Sequence, residues 1–512
     1  MEKVRVRFAP SPTGALHIGG VRTALFNYLF AKHHKGDFIL RIEDTDRKRY
    51  VTGSEDYILK SLEWLGIIPD ESPFHSGDLG PYRQSERKSI YKLYVDQLLS
   101  QNKAYYAFDT NEQLDNMRTR LESEGMINFN YNATSRMQMT NSLTLSSEEV
   151  KKRIDDGVPY VVRLKLPLKK EISFKDVIRG WVHTNSMNLD DKVIMKSDGL
   201  PTYHLANVVD DHLMKVTHVI RGEEWIPSAS FHVLLYDYLG WANEMPQFAH
   251  LPLILKPNGN GKLSKRFADK AGIPIFIHNW TDPTSNMESI GFRELGYDPG
   301  ALINFLAFQG WNPGNEKELF SKKELIREFN LGRVGKAGTR FDIDKLKWYN
   351  LQYLRAMDSG FLAIKLAKDL QENDIICDHD RAKSIVELLK PRVSFYNELV
   401  SSSKIFFMPP TIFDKKVIRK KWDEESKEVL LYFAEQLIKV KNIDSATKVK
   451  EFWMLIMNSQ GYSAGKYMQI LRLSITGLHH GADLMEIINI LGVKATSEYI
   501  QNSVKIIENQ YC

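Results

Sequence analysis

The first group of residues suited to chemistry lies in the segment 7–20, which combines two prolines, three glycines and His17. The alternation of apolar and basic residues in 4–8 predicts a strand, and the apolar residues of 21–29 recur at helical spacing. The segment is therefore predicted to lead from a strand into the N-terminus of a helix. Unpaired backbone N–H groups and the positive end of the helix dipole attract phosphate there. His17 adds a donor that can follow a phosphate oxygen. Many α/β proteins, however, open with a Gly-rich turn.

A second group of candidates is the loop 258–266, which is rich in glycine and carries three cations, Lys262, Lys265 and Arg266. It is not a Walker phosphate-binding loop, because Lys256 stands where the first glycine should be and Leu263 replaces the hydroxyl residue. Taken alone, the loop is better interpreted as a solvated cluster of charges.

Two further groups of polar residues follow predicted strands. The run Arg41 to Asp46 comes at the end of an apolar strand over 37–42, and Arg221 to Trp225 follows the apolar residues of 219–220. In open parallel sheets, ligands bind at the carboxyl ends of the strands. Both runs are candidates for a site at that edge, although solvated turn residues would have the same composition.

Composition limits the elements that can position these groups. A chain of 512 residues is expected to hold several domains. The net charge of +5 permits nucleic-acid binding without demonstrating it. The two cysteines, Cys377 and Cys512, are too few and too distant for a disulfide framework or a cysteine-based zinc site. There is no signal peptide and no apolar run that could span a bilayer, so we expect a cytoplasmic protein without membrane contact.

Helical patterns dominate the last third of the chain. Beyond 311–314 strand signals fade, which predicts a separate all-α domain. Its helices are predicted near 324–329, 361–371, 382–389 and 425–440. In the first part, Ser54 is expected to cap a helix, and Gly36 to close the helix that begins after His17. A basic run, Lys415 to Lys421, would contact phosphates in a nucleic-acid protein but is otherwise a solvated face.

Taken together, these motifs resemble the bacterial-type glutamyl-tRNA synthetases, a family of class I aminoacyl-tRNA synthetases. The resemblance rests on Pro10 to Gly14 with His17 to Gly19 (the HIGH-like signature), Arg41 to Asp46, Asp210 to His212, Arg221 to Trp225, and Lys262 to Arg266 (the KMSKS-like signature). It covers Arg5 to about Lys347 and continues more weakly into Lys466 to Gly477.

The resemblance implies an α/β fold, a Rossmann-type parallel-sheet catalytic domain with an inserted α+β acceptor-stem domain, followed by an all-α anticodon-binding domain. The implied order is a first catalytic half, an inserted domain, a second catalytic half, a stem-contact domain with the KMSKS-like loop, and an anticodon-binding domain. Their expected bounds are 1–80, 81–190, 191–255, 256–345 and 346–512.

The same resemblance implies a glutamate–tRNA ligase that uses ATP with Mg²⁺ to form glutamyl-adenylate and then esterifies tRNA(Glu). Arg7 and Arg221 would bind the side-chain carboxylate of L-glutamate, and Glu43 its α-ammonium. The implied catalytic set is His17, Lys262 and Lys265. The implied ATP-binding set is Thr13, Gly14, His17, Gly19, Gly20, Glu224, Trp225, Leu255, Lys262, Ser264 and Lys265. The implied glutamate-binding set is Arg7, Ala9, Ser11, Glu43, Tyr203, Asn207 and Arg221. The implied tRNA-binding set is Asp44, Thr45 and Arg392.

Three departures from the family pattern stand out. Ala107 to Asp109 occupies the place where many relatives have clustered cysteines, so no structural zinc is expected. The segment Ala271 to Tyr297 is longer than usual, and the sequence suggests no function for it. Leu263 replaces the usual methionine and keeps its apolar bulk.

Three other interpretations compete with this one. A glutaminyl-tRNA synthetase usually carries Pro-Glu-Pro-Asn-Gly where this chain has Pro-Ser-Pro-Thr-Gly. A short paralogue that glutamylates a modified tRNA base lacks an anticodon domain. A non-catalytic RNA-binding descendant would be favoured by loss of His17 or Lys265, and both are present. Family resemblance suggests a monomer, and the sequence leaves open whether tRNA(Gln) is charged as well.

Overall fold

The computed structural model divides the chain into two compact units. Unit 1 comprises Met1–Glu294 and Pro299–Leu346, and unit 2 comprises Leu295–Asp298 and Lys347–Cys512. The residues that the structure describes are 3–75, 77–125, 130–259, 261–283, 285–440 and 443–511.

The strands belong to unit 1 and are short. They are β1 (Arg5–Phe8), β2 (Asp37–Leu40), β3 (Ala104–Ala107), β4 (Val161–Leu164), β5 (Glu171–Asp176), β6 (Gly180–Asn185), β7 (Val193–Met195), β8 (His218–Gly222), β9 (Gln247–Leu251), β10 (Ile254–Leu255), β11 (Trp280–Thr281), β12 (Glu288–Ser289) and β13 (Thr339–Arg340).

The helices of unit 1 alternate with these strands. They are α1 (Ile18–His33), α2 (Ser54–Trp64), α3 (Lys88–Ser100), α4 (Asn111–Ser123), α5 (Ser147–Asp155), α6 (Tyr203–Leu213), α7 (Ile226–Tyr238), α8 (Lys265–Ala271), α9 (Pro299–Ala307) and α10 (Lys322–Glu328).

The remaining helices follow with no strand between them in the part of the chain that the structure describes. They are α11 (Ile343–Ala356), α12 (Ser359–Gln371), α13 (His379–Leu389), α14 (Tyr396–Ser403), α15 (Lys415–Lys421), α16 (Glu424–Lys439), α17 (Ala446–Ser459), α18 (Ala464–Thr476), α19 (Leu484–Leu491) and α20 (Val493–Gln510).

Parallel pairing of strands organises the site-bearing part of unit 1. β1 pairs in parallel with β2, and β8 pairs in parallel with β9 within a four-stranded sheet of order β6-β5-β9-β8. A backbone hydrogen bond of 2.9 Å from Thr217 N to Arg5 O links the approach to β8 with β1. The carboxyl ends of β1, β2 and β8 carry Arg7, the Arg41 to Asp46 run and Arg221, so the predicted α/β architecture with parallel pairing is confirmed.

Burial explains why these elements form. Three consecutive residues of β2, Phe38 to Leu40, are fully buried, as expected of a strand covered on both faces. Helix α1 is buried almost all round, since Val21, Leu25 and Leu29 have no exposed surface and Phe30 only a little.

An antiparallel sheet of order β3-β4-β7 lies outside this parallel arrangement, and β5 joins its antiparallel partner β6 to β9.

Of two local predictions at helix ends, that for Ser54 is wrong and that for Gly36 holds only in part. Gly36 N–H closes the end of α1 by donating to the carbonyl oxygen of Ala31 at 2.8 Å, but Gly36 does not take the left-handed position. The C-cap residue of helix α1 is His34, and Lys35 rather than Gly36 takes the left-handed conformation, with φ of 54°. Gly36 is needed instead because a Cβ there would lie 2.1 Å from the carbonyl oxygen of Val4. Ser54 is the first residue of α2 and not its cap, since the N-cap position belongs to Gly53, which has φ of 83°.

The predicted all-α character of the last third is confirmed. Three of the four predicted helices correspond to α12, α13 and α16 of unit 2. The fourth, near 324–329, corresponds to α10, which belongs to unit 1, so its assignment to the separate helical domain is wrong. Unit 2 has its own core, in which Trp453 is fully buried and donates its ring N–H to the carbonyl oxygen of Ala464 at 3.2 Å.

Within the described ranges, no helix combines the length and the apolar character needed to cross a bilayer. The same ranges contain no group of three or more His, Cys, Asp or Glu side chains that could hold a metal ion.

Candidate active site

A cavity of about 700 Å³ lies in unit 1, where β1, β2 and β8 end. Its lining brings together residues that are far apart in the chain, including the turn before α1 and the loop before α8. Most of the residues predicted for ATP and glutamate line it: Arg7, Ala9, Ser11, Thr13, Gly14, His17, Gly19, Gly20, Glu43, Tyr203, Asn207, Arg221, Glu224, Trp225, Lys262, Ser264 and Lys265.

Two buried arginines, Arg7 on β1 and Arg221 on β8, stand in the wall of this cavity. Arg7 donates from Nε to Asp211 Oδ1 at 3.0 Å, and Arg41 donates to the same oxygen at 2.7 Å. Burial pushes the pKa of the Asp211 carboxyl upward, but the charges of Arg7 and Arg41 outweigh it and hold that pKa below its ordinary value. Asp211 is therefore an ionised support for Arg7.

Glu43 is the buried carboxylate that lines the cavity beside these arginines. Its Oε1 accepts from Arg41 Nη2 at 3.1 Å and from Asn207 Nδ2 at 3.2 Å. Burial raises the pKa of Glu43, against the opposing effect of Arg41 and Arg7. A cationic ligand that contacts Glu43 would favour the charged carboxylate, so the site suits an ammonium group.

His17 caps helix α1 with its own side chain. Its Nδ1 accepts hydrogen bonds from the backbone N–H groups of Gly19 at 3.0 Å and Gly20 at 3.3 Å. The ring contacts solvent, yet the partial removal of water inside the cavity, together with the positive charge of Lys262, lowers its pKa. In the neutral ring the proton therefore sits on Nε2, which can donate to a ligand.

The first N–H groups of α1 differ from the sequence-based prediction, which took them to be unpaired. Gly19 and Gly20 donate to His17, and Ile18 N donates to the carbonyl oxygen of Ile275 at 2.9 Å. Gly19 leaves room for the imidazole, since a Cβ there would lie 2.9 Å from His17 Cε1. The donor presented at this helix end is thus the His17 ring.

The two lysines of the KMSKS-like loop are each paired with a carboxylate of the cavity. Lys262 Nζ lies 2.8 Å from Glu224 Oε1, and Lys265 Nζ lies 2.8 Å from Asp282 Oδ2. Burial raises the pKa of Glu224, but the hydrogen bond from Lys262 outweighs it, so the pKa lies below its ordinary value. All four side chains keep a quarter to a half of their surface exposed, and such exposed pairs exchange readily for a more highly charged partner.

The long segment 271–297, for which the sequence suggested no function, forms part of the cavity wall. Trp280, Asp282 and Pro283 line the cavity together with Phe276. Tyr57 fastens the segment to α2, because its hydroxyl donates to the carbonyl oxygen of His278 at 2.6 Å and accepts from the N–H of the same residue at 2.9 Å. A length difference from the family pattern was the only sequence signal of this wall.

Four predicted site residues are placed elsewhere. Leu253 and Ile254 line the cavity, whereas Leu255 packs against residue 338, where a Cβ would lie 2.9 Å from Leu255 Cγ. Asp44 and Thr45 are buried, and Asp44 Oδ1 accepts from the backbone N–H of Ser85 at 2.8 Å. Arg392 is exposed in unit 2, in a short 3-10 turn after α13. Contacts of Asp44, Thr45 and Arg392 with tRNA stay predictions.

Family models match most of the chain. Residues 3–348 match the catalytic domain of class I tRNA synthetases (E and Q), and residues 362–504 match an anticodon binding domain.

Whole-chain relatives agree with these matches. The chain is 50% identical over 508 residues to a glutamate–tRNA ligase of Amoebophilus asiaticus, with 99% of each chain covered. It is 51% identical over 500 residues to a glutamate–tRNA ligase of Cytophaga hutchinsonii, with 98% of this chain and 97% of the relative covered. A crystal structure of a glutamate tRNA ligase from Elizabethkingia meningosepticum, in complex with its amino acid, superposes with a TM-score of 0.93 at 48% identity and covers 98% of this chain and 99% of that one.

Proposed function

The chain belongs to the glutamate–tRNA ligases, within the class I tRNA synthetases, and we propose that the cavity of unit 1 is where it joins glutamate to ATP before charging tRNA(Glu). The observation that carries this proposal is the convergence of Arg7, Arg221 and Glu43 with His17 and the paired lysines in one cavity. Two arginines beside the Glu43 carboxylate suit an amino acid with a negatively charged side chain, and the imidazole and ammonium donors nearby suit a triphosphate.

Activation makes one bond and breaks one. An α-carboxylate oxygen of glutamate attacks the α-phosphorus of ATP, and the bond from that phosphorus to the bridging oxygen breaks, releasing pyrophosphate. Little covalent help from the protein is needed, so its contribution is alignment and stabilisation of charge. Mg²⁺ would arrive with the nucleotide and bind mainly its phosphate oxygens.

The phosphate side of the cavity has a fixed donor and mobile cations. His17 would donate from Nε2 to the triphosphate, while its Nδ1 stays engaged by the end of α1. Lys262 and Lys265 would leave Glu224 and Asp282 for the β- and γ-phosphates as negative charge passes to the leaving pyrophosphate. Thr13, Gly14, Ser264 and Trp225 would complete the nucleotide site from the remaining lining.

The amino-acid side of the cavity explains selection of glutamate. The forked guanidinium groups of Arg7 and Arg221 match the side-chain carboxylate, which glutamine lacks. Glu43 would accept from the α-ammonium, and Ser11, Tyr203 and Asn207 would shape the pocket around the aliphatic part with Ala9.

Transfer to tRNA follows in the second step. The 2′-OH of the terminal adenosine of tRNA attacks the carbonyl carbon of glutamyl-adenylate, an ester forms and AMP leaves. Unit 2 would read the anticodon. Its helix α15 buries Val417 and Ile418 and exposes five cations, as expected of a phosphate-binding face: Lys415, Lys416, Arg419, Lys420 and Lys421.

The finer assignments belong to the same proposal. We infer a cytoplasmic monomer, as the resemblance to the family implies, because protein synthesis supplies its substrates in the cytoplasm. The five-part division at 80, 190, 255 and 345 stays a prediction.

Pyrophosphate exchange tests the proposal. In the presence of tRNA, the protein should catalyse incorporation of labelled pyrophosphate into ATP that depends on glutamate and saturates with it. Glutamine at the same concentration should support little exchange. Robust exchange with glutamine and none with glutamate would contradict the proposal. Omission of tRNA is the matched control, and we expect exchange to fall to background.

A further inference from the structure

A buried chain of three side chains stands behind the cavity at Arg221. Arg221 donates from Nε to His250 Nε2 at 3.1 Å, and His250 Nδ1 lies 2.6 Å from Asp176 Oδ2. Arg221 is 5% exposed, His250 is fully buried and Asp176 is 1% exposed. The pairing of β8 with β9 sets Arg221 opposite His250, and the contact of β5 with β9 brings Asp176 alongside.

The hydrogen-bonding groups on the two sides of His250, Arg221 and Asp176, allow only one tautomer of its imidazole. Arginine only donates, so His250 Nε2 must be the acceptor, and an ionised carboxylate only accepts, so Nδ1 must carry the proton. Burial raises the pKa of Asp176, but the bond to His250 and the backbone N–H groups of Arg179 and Ile178 outweigh it, so the pKa lies below its ordinary value. Burial lowers the pKa of His250, which also favours the neutral ring.

This support differs from that of the other arginine. Arg7 rests on a carboxylate, Asp211, which balances its charge at 3.0 Å. Among the residues that the structure describes, the groups that Arg221 donates to are neutral: the His250 ring, the Tyr203 hydroxyl at 2.8 Å and the carbonyl oxygen of Trp225 at 3.5 Å. His232 Nδ1, in a ring whose pKa burial lowers well below its ordinary value, lies 3.5 Å from Arg221 Nη1. The positive charge of Arg221 is thus oriented without being neutralised by a direct contact.

We propose that Asp176 and His250 are positioning residues that hold Arg221 for the side-chain carboxylate of glutamate and thereby sharpen the choice of glutamate over glutamine. This inference rests on the proposed function of the cavity. A neutral acceptor fixes the direction of the guanidinium, although with a weaker bond than a carboxylate would make, and it leaves the charge available to an anionic substrate. Glutamine offers no charge to balance it, and leaving a buried cation unpaired is costly.

The substitution Asp176→Asn changes the hydrogen bonding that positions Arg221 without changing the size of the side chain. Asp176 Oδ1 accepts from the N–H groups of Ile178 at 2.9 Å and Arg179 at 2.8 Å, so the amide oxygen of asparagine should keep that position. The amide NH₂ then faces His250 Nδ1 and forces the proton onto Nε2. Two donors would oppose each other at Arg221 Nε, although the size of the side chain is unchanged.

The experiment compares four variants in the exchange assay. D176N and His250→Leu should raise the KM for glutamate by about tenfold or more, as expected for the loss of a hydrogen bond to a charged group, and leave the KM for ATP within about twofold. Their preference for glutamate over glutamine, as a ratio of kcat/KM, should fall by the same factor. His250→Gln can turn its oxygen to Arg221 and its NH₂ to Asp176, so it should recover most of the affinity that His250→Leu loses.

Asp191→Asn is the matched control for loss of a buried carboxylate. Asp191 is fully buried, accepts from the Tyr105 hydroxyl at 2.8 Å and lies outside the cavity lining, so its replacement should lower thermal stability and leave the KM for glutamate unchanged.

A KM for glutamate near the wild-type value in D176N, or an equal rise in the KM for ATP, would overturn the inference while leaving the proposed function intact. If D176N does not fold, equal KM values for His250→Gln and His250→Leu would overturn it in the same way. Wild-type protein without glutamate-dependent exchange would instead overturn the proposed function.

Discussion

At the residue scale, the two ring nitrogens of His17 have different roles, one structural and one chemical. His17 Nδ1 accepts from Gly19 and Gly20 and completes the end of α1, whereas Nε2 carries the proton that a phosphate oxygen can accept. Because the pKa of His17 is lowered by its place in the cavity and by Lys262, the ring stays neutral at pH 7 and keeps this arrangement. Stability and catalysis should therefore respond differently to different substitutions at this position.

Replacement of His17 by asparagine or alanine tests this separation. Asparagine is a good N-cap but is too short to reach the phosphate, so H17N should unfold near the wild-type temperature while exchange falls on the order of 10²–10³. H17A should lose exchange to the same extent and, in addition, about 1 kcal/mol of stability with the cap. Rates come from the exchange assay, stability from thermal unfolding, and tRNA affinity from filter binding, which should change little. A collapse of tRNA affinity in H17N would show that the imidazole has a folding role instead.

The family resemblance, which rests on the motifs and their order, was enough to predict most of the side chains that meet at the cavity, including Arg7, Glu43, His17, Arg221 and the two lysines. The residue patterns alone indicated a site at the ends of the strands and at the start of α1, and they favoured solvated charges for the lysine loop. The sequence could not indicate which groups form hydrogen bonds that hold the elements and side chains of the site in place. The partner of Ile18 N is Ile275 and the partner of Arg221 Nε is His250, and no local pattern encodes such distant pairings.

At the scale of elements, the hairpin formed by β11 and β12 is the part that sequence reasoning left without a function. Its Asp282 faces the KMSKS-like loop and pairs with Lys265 at the start of α8. A carboxylate at this place competes with incoming phosphate for the lysine. We therefore predict that the hairpin influences how readily the loop engages the nucleotide.

Asp282→Asn tests this competition. Half-exposed ion pairs contribute about 0.2–1 kcal/mol, so freeing Lys265 should lower the KM for ATP by about one and a half to fivefold. The KM for glutamate should not change, because its proposed binding residues lie on or just after β1, β2 and β8 and on α6, away from the hairpin. Glu288→Gln on the same hairpin is exposed and outside the cavity lining, and it serves as the control. An increase in the KM for ATP in D282N would mean that Asp282 helps to bind the nucleotide.

Element boundaries were predicted less well than element types, for a physical reason visible at Gly36 and Ser54. Both residues fit local rules for helix ends, but close packing decides their roles. Gly36 is required by the carbonyl oxygen of Val4, and Ser54 is displaced from the cap position by the left-handed Gly53. Local propensity cannot detect a neighbouring strand.

At the scale of the whole molecule, two partly buried histidines of unit 1, His204 and His218, are expected to make its stability sensitive to acid. Burial, with the charges of Lys192 and Arg221, lowers the pKa of His204 to about 4. Burial, with the charge of His34, lowers the pKa of His218 to about 4. In an unfolded chain both histidines would have a pKa of about 6.5. Between these values the unfolded chain binds more protons than the folded one.

The free energy of unfolding should therefore fall as the pH is lowered from about 6.5 to 5, by at most about 1.4 kcal/mol per pH unit for each of the two histidines. Urea unfolding at a series of pH values measures this slope. His218→Gln removes one titrating group from β8. The slope of its unfolding free energy against pH should therefore be smaller, by up to about 1.4 kcal/mol per pH unit. His75→Gln, at an exposed position, should leave the slope unchanged. Stability that stayed constant or rose over this interval, or a slope unaltered in His218→Gln, would contradict the claim that the folded protein keeps these imidazoles neutral.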